Sequence, residues 1–282
     1  MHKHLFSFGY GYSAQALAGS LLPLGWKITG TTRDEEKSLK LRETGIESCL
    51  WGDSGIEEAF SKATAVLISP GPNEQGDPVF LRYRKLFEKY AANLDWVGYL
   101  STTGVYGDFD GQWVDEETPL NPQTKRGQLR LSAEQGWLSI SGLPLHIFRL
   151  SGIYGPGRGP FSKVRNGTAK RIIKKGQVFS RTHVDDITQV LHASLSAPNP
   201  GRVYNVCDND PAPPQDVIGY AAELLGLPLP PIVNFEDAEL SPIARSFYAE
   251  NKKVRNTRIK SELGVTLLYP DYKAGFKGML QE

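Results

Sequence analysis

The stretch Leu5-Phe-Ser-Phe-Gly-Tyr-Gly-Tyr-Ser-Ala14 decides how this chain folds. Its apolar start predicts a buried strand, the glycines predict a tight turn, and the apolar stripe that follows predicts a helix. Strand and helix patterns then alternate through the first 150 residues. Such alternation is typical of a parallel sheet with helices on both faces, so the sequence predicts an α/β fold with a doubly wound parallel sheet.

The predicted elements thin out toward the C-terminal half of the chain. The predicted strands are residues 5–8, 26–32, 46–51, 65–69, 96–101, 145–150 and 203–206. The predicted helices are residues 14–22, 34–43, 56–62, 78–94, 124–141 and 185–196. After residue 150 proline and glycine become frequent and the elements shorten. We therefore expect a sheet domain over residues 1–150, and a smaller lobe over residues 151–282 that is interleaved with the last sheet elements.

Composition and charge exclude several classes of partner. The net charge is +1, so no global field recruits nucleic acid or an acidic membrane. No apolar run approaches the ~20 residues that a membrane span needs. The predicted first strand follows Met-His-Lys-His directly and leaves no room for a cleavable signal, so we expect a cytoplasmic protein. No metal is expected, because no metal-ligand spacing is found among Cys49, Cys207, His2, His4, His146 and His192.

The glycine turn has the pattern of a dinucleotide-binding site. Gly9 permits the tight turn, Gly11 lets the backbone approach a pyrophosphate, and Ala14 lets the helix pack closely on the strand. The first helical turn, with Tyr12 and Ser13, would present N–H groups and a partial positive charge to the phosphates. A glycine turn that merely packs is the alternative. The strand–turn–helix context and the alternating units behind it favour dinucleotide binding.

The end of the second predicted strand bears on which dinucleotide binds. An NAD-specific site has an acidic residue there to accept from the ribose hydroxyls. This chain has Thr31-Thr32-Arg33, and Arg33 can pair with a 2′-phosphate that an acid would repel. Asp34, one step beyond, reads as the N-cap of the next helix. The sequence favours NADP, with NAD as the alternative. Asp53, after the third strand, is predicted to contact adenine, with an ordinary turn aspartate as the alternative.

Motifs along nearly the whole chain then point to one family. They are Phe8–Ala14, Leu100–Gly107, Arg149–Pro156, His183–Asp186, Tyr204–Val206, Lys252–Asn256 and Glu262–Gly264. In this order they resemble the extended short-chain dehydrogenase/reductases, the NAD-dependent epimerase/dehydratase family. The resemblance runs from about residue 5 to 265. It implies a Rossmann core with a C-terminal substrate lobe, a small-molecule substrate and a homodimer.

The same resemblance assigns catalytic positions, and the chain departs from the family at two of them. Thr102 occupies the place of the alcohol residue that hydrogen-bonds the substrate oxygen, although a strand-end threonine can instead bond its own backbone. Arg126 and Arg130 occupy the places of the catalytic Tyr and Lys. Arginine stays protonated and cannot cycle a proton at neutral pH. Arg126 can still stabilise an oxyanion or clamp an anion, with Arg130 binding substrate, or both are solvated on an exposed helix.

Two further features are candidate parts of a substrate site. His183 stands at the mouth of the site in the family pattern and titrates near neutral pH, but a structural role is the alternative. The segment from Arg158 to Lys175 contains seven basic residues and no acidic residue. Arg158 and this segment are predicted to hold an anionic ligand, and a solvated basic face is the alternative.

Together these patterns predict an NAD(P)-binding oxidoreductase or epimerase-like enzyme of the atypical extended type, acting on a small polar, anionic substrate. Thr102 would orient the substrate oxygen, and Arg126 or His183 would assist electrostatically. The rival hypothesis is a non-catalytic sensor or scaffold whose NADP occupancy controls a partner. The two hypotheses differ in whether a titratable proton donor lies near the nicotinamide.

Overall fold

A computed structural model describes residues 3–281 of the chain. The strands are β1 His4–Phe8, β2 Lys27–Thr32, β3 Glu47–Leu50, β4 Ala65–Ile68, β5 Trp96–Thr102, β6 Trp113–Val114, β7 Leu145–Leu150, β8 Gly152–Tyr154, β9 Arg171–Ile173, β10 Arg181–His183, β11 Val203–Val206, β12 Ile232–Asn234 and β13 Lys253–Val254. The α-helices are α1 Tyr12–Leu21, α2 Glu35–Glu43, α3 Ile56–Ser61, α4 Pro78–Tyr90, α5 Lys125–Leu138, α6 Phe161–Arg165, α7 Val184–Ser196, α8 Pro214–Leu224, α9 Pro242–Phe247, α10 Thr257–Leu263 and α11 Tyr272–Gln281.

A seven-stranded parallel sheet in the order β11-β7-β5-β4-β1-β2-β3 forms the centre of the fold. Strand β1 pairs in parallel with β2 on one side and with β4 on the other. The strand order therefore reverses between β1 and β4, which is the switch point where ligands bind in open α/β sheets. The predicted α/β, Rossmann-type fold is confirmed. The remaining strands form three two-stranded pairs, β8 with β10, β9 with β12, and β6 with β13.

The chain divides into two compact units, each with its own apolar core. The first unit contains residues 3–102, 128–149 and 188–204, and the second contains residues 103–127, 150–187 and 205–281. The core of the first unit includes Phe6, Phe8, Phe60, Phe87 and Trp137. The core of the second includes Tyr154, Phe161, Val217, Tyr272 and Phe276. Burial of these large side chains supplies most of the favourable free energy of folding in each unit.

An aspartate fixes where α4 begins. One oxygen of the Asp77 carboxylate accepts the N–H groups of Val79 and Phe80, at 2.9 and 3.0 Å. The other accepts the indole N–H of Trp137 at 3.2 Å, which ties the start of α4 to α5. Helix α4 itself is shorter than the predicted range of residues 78–94, because residues 91–93 continue as a 3₁₀ turn. The cap and the indole contact together set the position of α4 in the first unit.

A buried ion pair connects α5 with two strands of the sheet. Arg149, on β7, donates to the Glu134 carboxylate from Nε at 3.2 Å and from Nη2 at 2.8 Å. Ser101, near the end of β5, donates to the same carboxylate. All three side chains are buried. A buried pair with these satisfied hydrogen bonds specifies one position for α5 against the sheet, because any other position would leave a charge unpaired.

His146 is a buried histidine in the middle of β7. Its Nε2 accepts the backbone N–H of Asn199 at 2.8 Å, and its ring stacks on Trp96 with the ring centroids 6.0 Å apart. Burial penalises the charged imidazolium and lowers the pKa of His146 from 6.5 to about 4. The unfolded chain therefore binds a proton in a pH range where the folded chain does not. Folded stability attributable to this group is present above pH 6.5 and is lost as the pH falls toward 4.

We expect the His146→Gln variant to lose part of the acid sensitivity of folding. The amide oxygen can accept from Asn199, but the side chain does not titrate. Between pH 7 and pH 4.5 the free energy of unfolding of the unmutated protein should fall more than that of the variant, by on the order of 3 kcal/mol. Urea unfolding at the two pH values measures the difference. His192→Gln, on α7, is the matched control, and an equal pH response in both variants would contradict the role of His146.

Candidate functional site

The turn after β1 is held by hydrogen bonds to Gly9. Its backbone adopts a φ of +73°, and a Cβ atom there would lie 3.0 Å from Ser69 Oγ and Pro70 Cγ. The Gly9 N–H donates to Thr31 Oγ1 at 2.8 Å, and the Gly9 carbonyl accepts from Ser69 Oγ at 2.7 Å and from Ser7 Oγ at 3.0 Å. The left-handed backbone and the lack of space both require glycine. Gly9 is therefore needed to form the turn itself.

Gly11 differs, because the fold does not need a glycine there. Its φ is −98°, which any residue adopts, and a Cβ atom would meet nothing within 4 Å. Helix α1 begins immediately afterwards, with Gly11 as N-cap and no capping side chain. Ser13 and Ala14 are buried and Tyr12 is half-buried. Open space beside an uncapped helix N-terminus fits the close approach of a pyrophosphate, since a side chain at Gly11 would fill the position that the phosphates need.

The two residues after β2 differ in their contacts, and the first of them stays a predicted cofactor contact. The Asp34 carboxylate accepts the Lys37 N–H at 3.0 Å and caps α2. Arg33 is exposed and makes no hydrogen bond or ion pair with any residue between 3 and 281, so its guanidinium is available to a ligand. Asp53 is also exposed, and one of its oxygens accepts the Gly55 N–H at 2.9 Å, as in an ordinary turn.

The end of β5 contains Thr102 and is supported by Arg130. Thr102 is the last residue of the strand and is half-buried. Arg130 Nη1 donates to the Tyr99 hydroxyl at 2.9 Å and to the Leu100 carbonyl at 2.8 Å. Burial raises the pKa of Tyr99 well above its usual range, so the phenol stays neutral. Arg130 thus holds the strand that ends in Thr102. Its other terminal nitrogen, Nη2, lies close to Gly71, where a Cβ atom would be only 3.1 Å away.

Arg126 is in the second unit, where it packs on an aromatic ring. Its guanidinium carbon lies 5.0 Å from the centroid of the Phe247 ring at the end of α9. Arg126 is exposed, and Phe247 is 48% exposed, so this contact leaves part of both side chains at the surface. A cation over a ring of this kind stabilises by about 0.5–1 kcal/mol at an exposed site. The solvated arginine that the sequence leaves as an alternative is compatible with these contacts.

His183, also in the second unit, is fully buried. Its Nδ1 accepts the backbone N–H of Asp185 at 3.3 Å, and its ring packs against Tyr154 and Tyr269 at centroid distances of 5.1 and 4.1 Å. Its Nε2 has no hydrogen-bond partner within the described part of the chain. Burial lowers the pKa of His183, which keeps the imidazole neutral. These contacts support the structural alternative for His183 over a role in electrostatic assistance.

The basic segment of the second unit is divided between packed and exposed cations. Arg171 Nε donates to the Pro230 carbonyl at 2.9 Å, and Lys174 donates to the Tyr248 carbonyl. Arg158 is exposed at the end of a tight turn, in which it exchanges two backbone hydrogen bonds of 2.9 Å with Gly155. Lys163, Arg165, Lys170 and Lys175 are also exposed. The segment therefore presents exposed cations, while backbone carbonyls hold Arg171 and Lys174, and Arg165 packs on the Phe161 ring at 5.8 Å.

One residue near the glycine turn is absent from the sequence-based prediction. Lys37, in the first turn of α2, donates from Nζ to the Tyr10 carbonyl at 2.9 Å. The sequence does contain one signal for Lys37. A lysine stands near the N-terminus of a predicted helix, where acidic residues are favoured.

Among residues 3–281, no group of three or more His, Cys, Asp or Glu side chains is arranged to hold a metal ion, and His2 lies outside the described residues. Within the same residues, none of the helices combines the length and apolar character needed to span a bilayer.

Comparison with known proteins finds relatives over nearly the full length of the chain and many similar folds. No family model matches the sequence. Protein YeeZ of Escherichia coli K12 is 31% identical over 286 residues, which cover 95% of this chain and 97% of YeeZ. The solved structure of a conserved protein of unknown function from Silicibacter pomeroyi DSS is 55% identical, with a TM-score of 0.93 over 99% of this chain and 98% of that one.

A more distant structure shows the fold. The human epimerase family protein SDR39U1, isoform 2, solved with NADPH, is 17% identical, with a TM-score of 0.77 over 99% of both chains. This level of identity shows the shared architecture alone. Combined with the full-length match to YeeZ, it agrees with the motif order in the sequence. The chain belongs to the family of Protein YeeZ, and its fold is that of the extended short-chain dehydrogenase/reductases, the NAD-dependent epimerase/dehydratase family, to which its structural neighbours belong.

Proposed function

We propose that this protein binds NADP at the turn between β1 and α1. The observation that carries the proposal is the open space over Gly11, at a position where the backbone itself tolerates a side chain. Arg33 supports the choice of NADP over NAD, because it is exposed and unpartnered among residues 3–281 at the end of β2. Structures of the same fold contain NAD or NADPH, which supports a nicotinamide cofactor as the class. When bound, that cofactor would supply hydride transfer.

The reaction that we propose is an oxidoreductase or epimerase-like conversion of a small polar, anionic substrate. Thr102 would orient the substrate oxygen from the end of β5, a strand that Arg130 holds through its Leu100 carbonyl. The exposed cations Arg126 and Arg158 support an anionic substrate. Neither Arg126 nor Arg130 can act as the proton donor that the family's tyrosine provides, so chemistry at this site would be slow without another donor.

A second candidate is a non-catalytic sensor or scaffold whose NADP occupancy controls a partner. A specific observation favours it, since the predicted catalytic residues offer no titratable proton donor. The Arg130 guanidinium is bonded to Tyr99 and Leu100, and the His183 imidazole is buried and neutral. The cytoplasmic location, the homodimer and the functional division at residue 150 remain proposals under either candidate.

The Arg33→Ala variant tests the cofactor choice. We expect it to weaken NADPH binding about tenfold or more and to leave NADH nearly unaffected, because a charge-assisted pair with the 2′-phosphate contributes ~1.5–3 kcal/mol. Calorimetric titration of both cofactors measures the effect. Arg42→Ala, at the far end of α2, is the control. Equal affinity of the unmutated protein for NADPH and NADH would refute the assignment of Arg33.

The Gly11→Val variant tests the position of the phosphate site. We expect it to stay folded, because a Cβ there meets no atom within 4 Å, and to lose NADPH binding because the branched side chain fills the space for the pyrophosphate. Circular dichroism and calorimetry report the two properties separately. Gly19→Val, also in open space on α1, is the matched control and should bind normally. A Gly11→Val protein with full NADPH affinity would show that the phosphate site lies elsewhere.

The third test concerns the two arginines on α5. We expect little or no NADPH oxidation by the unmutated protein with simple carbonyl or nucleotide-sugar substrates, because positioned acid–base groups typically contribute ~10²–10⁴-fold. The double variant Arg126→Tyr, Arg130→Lys restores the family's pair one helical turn apart and should gain turnover with at least one of them. The decay of NADPH absorbance measures both forms.

Addition of Thr102→Ala to the double variant provides the control, and it should abolish the gained turnover. Robust turnover by the unmutated protein that is unchanged in Thr102→Ala would mean that the reaction uses other residues. A double variant that folds and binds NADPH but stays inactive on every substrate would favour the sensor hypothesis.

A further inference from the structure

The C-terminal segment, residues 268–281, is held to the rest of the second unit by hydrogen bonds at its start. The two oxygens of the Asp186 carboxylate, in the first turn of α7, accept the backbone N–H groups of Leu268 at 2.7 Å and of Tyr269 at 3.2 Å. The Pro270 carbonyl accepts the N–H of Asn209 at 2.9 Å. Helix α11 follows directly, so these three bonds fix where the helix begins.

This segment covers one face of the β8–β10 pair. The register of the pair sets Tyr154 beside His183. The Tyr154 ring packs edge-on against Phe276 with the ring centroids 5.5 Å apart, and the His183 ring lies 4.1 Å from that of Tyr269. A Cβ on Gly275 would collide with the Tyr154 hydroxyl, so the helix lies close to the strands. The C-terminal segment therefore shields the buried face of both strands from water.

Asp208 is an acid buried beside the start of the C-terminal segment, directly before Asn209. It is 2% exposed. One carboxyl oxygen accepts the Asp210 N–H at 3.2 Å, and the other has no hydrogen-bond partner among residues 3–281. Within the same residues no ion pair joins it to a cation, since the Arg181 guanidinium donates to two backbone carbonyls instead, at 2.7 and 3.1 Å. An ionised carboxylate here would be bonded by one backbone N–H alone, which is costly in a buried site.

Burial therefore favours the protonated form of Asp208. It raises the pKa of Asp208 to about 8, against the opposing attraction of Arg181, and the charge of Asp271 just before α11 adds to the rise. If the C-terminal segment lifts and water reaches the carboxyl, the pKa returns toward its ordinary value near 3.8. At neutral pH the docked form thus holds a proton that the lifted form releases. Docking is therefore strongest in acid and weakens as the pH rises between about 4 and 8.

The neighbours of Asp208 leave this titration visible between pH 6 and pH 8. Those that face it from the packed elements are Arg181 on β10, Tyr154 on β8, Cys207 and Asp210 beside it, Lys260 on α10, and Asp271 and Tyr272 at the start of α11. The two phenols and the thiol stay neutral, because burial raises their pKa values. Burial raises the pKa of Asp186 to about 6, at the lower end of this range, and it lowers the pKa of His183, which stays neutral.

We propose that Asp208 is a pH-sensing residue that controls the docking of the C-terminal segment, which stays docked while the carboxyl is protonated and lifts more often once it ionises. Lifting exchanges the buried contacts of Phe276 for hydration of the carboxylate. The device lies wholly within the second unit and does not depend on the proposed cofactor. Opening of this one segment, and not of the whole unit, distinguishes such a switch from ordinary pH-dependent stability.

Native-state hydrogen exchange of the full chain tests the proposal, measured on the amides of α11 and corrected for the intrinsic exchange rate of each amide. Their opening constant should rise about tenfold between pH 6 and pH 7, because opening releases one proton. Asp208→Asn keeps the shape of the protonated acid and removes the charge, so its opening constant should change less than about twofold. Asp210→Asn, at an exposed residue two positions further on, is the matched control and should keep the rise.

Three results would overturn the proposal. A flat opening constant between pH 6 and pH 7 in the unmutated protein does so without any variant. A rise shared equally by the amides of α8 would mean that pH changes the stability of the whole second unit. A full rise in Asp208→Asn would assign the effect to another group. If Asp208→Asn does not fold, Asp208→Ser, which is also neutral, takes its place with the same flat response expected.

Discussion

The left-handed backbone at Gly9 is the constraint on which the proposed cofactor site depends. With φ at +73°, the Gly9 carbonyl faces the hydroxyls of Ser7 and Ser69, and its N–H faces Thr31. These partners stand on or directly after β1, β4 and β2, so one glycine ties together the carboxyl ends of three neighbouring strands. The direction of α1 follows from this turn. The open space beside Gly11 lies two residues further along the same turn.

The central sheet could be predicted from the sequence because its signals are local. Strands β7 and β11 lie at the predicted residues, and β1 to β5 begin and end within one or two residues of prediction. Helix α4 ends before its predicted end, because apolar spacing continues through residues that form a 3₁₀ turn. The short strands of the second unit, such as β9 and β12, were not predicted. A segment of two or three residues is too short to show a periodicity in the sequence. These strands are defined by their hydrogen-bonded pairing with each other.

The candidate site was predictable only where residue type alone determines the role. The glycine turn, the Asp34 cap and the exposed Arg33 belong to this class. The two arginines on α5 have the same chemistry in the sequence but different surroundings in the structure. Arg130 bonds the Tyr99 hydroxyl and the Leu100 carbonyl, and Arg126 packs on Phe247. Such contacts join residues that are distant in the chain, so no residue spacing in the sequence predicts them.

The carboxylate shared by Ser101 and Arg149 has a consequence for how the first unit can open. A partial detachment of α5 from the sheet would leave Glu134 and Arg149 unpaired in an apolar interior, at a cost of several kcal/mol. Fluctuations that lift this helix alone are therefore rare, and β5, β7 and the second half of α5 open as one cooperative block. Thr102 follows Ser101 directly at the end of β5, so its backbone belongs to this block.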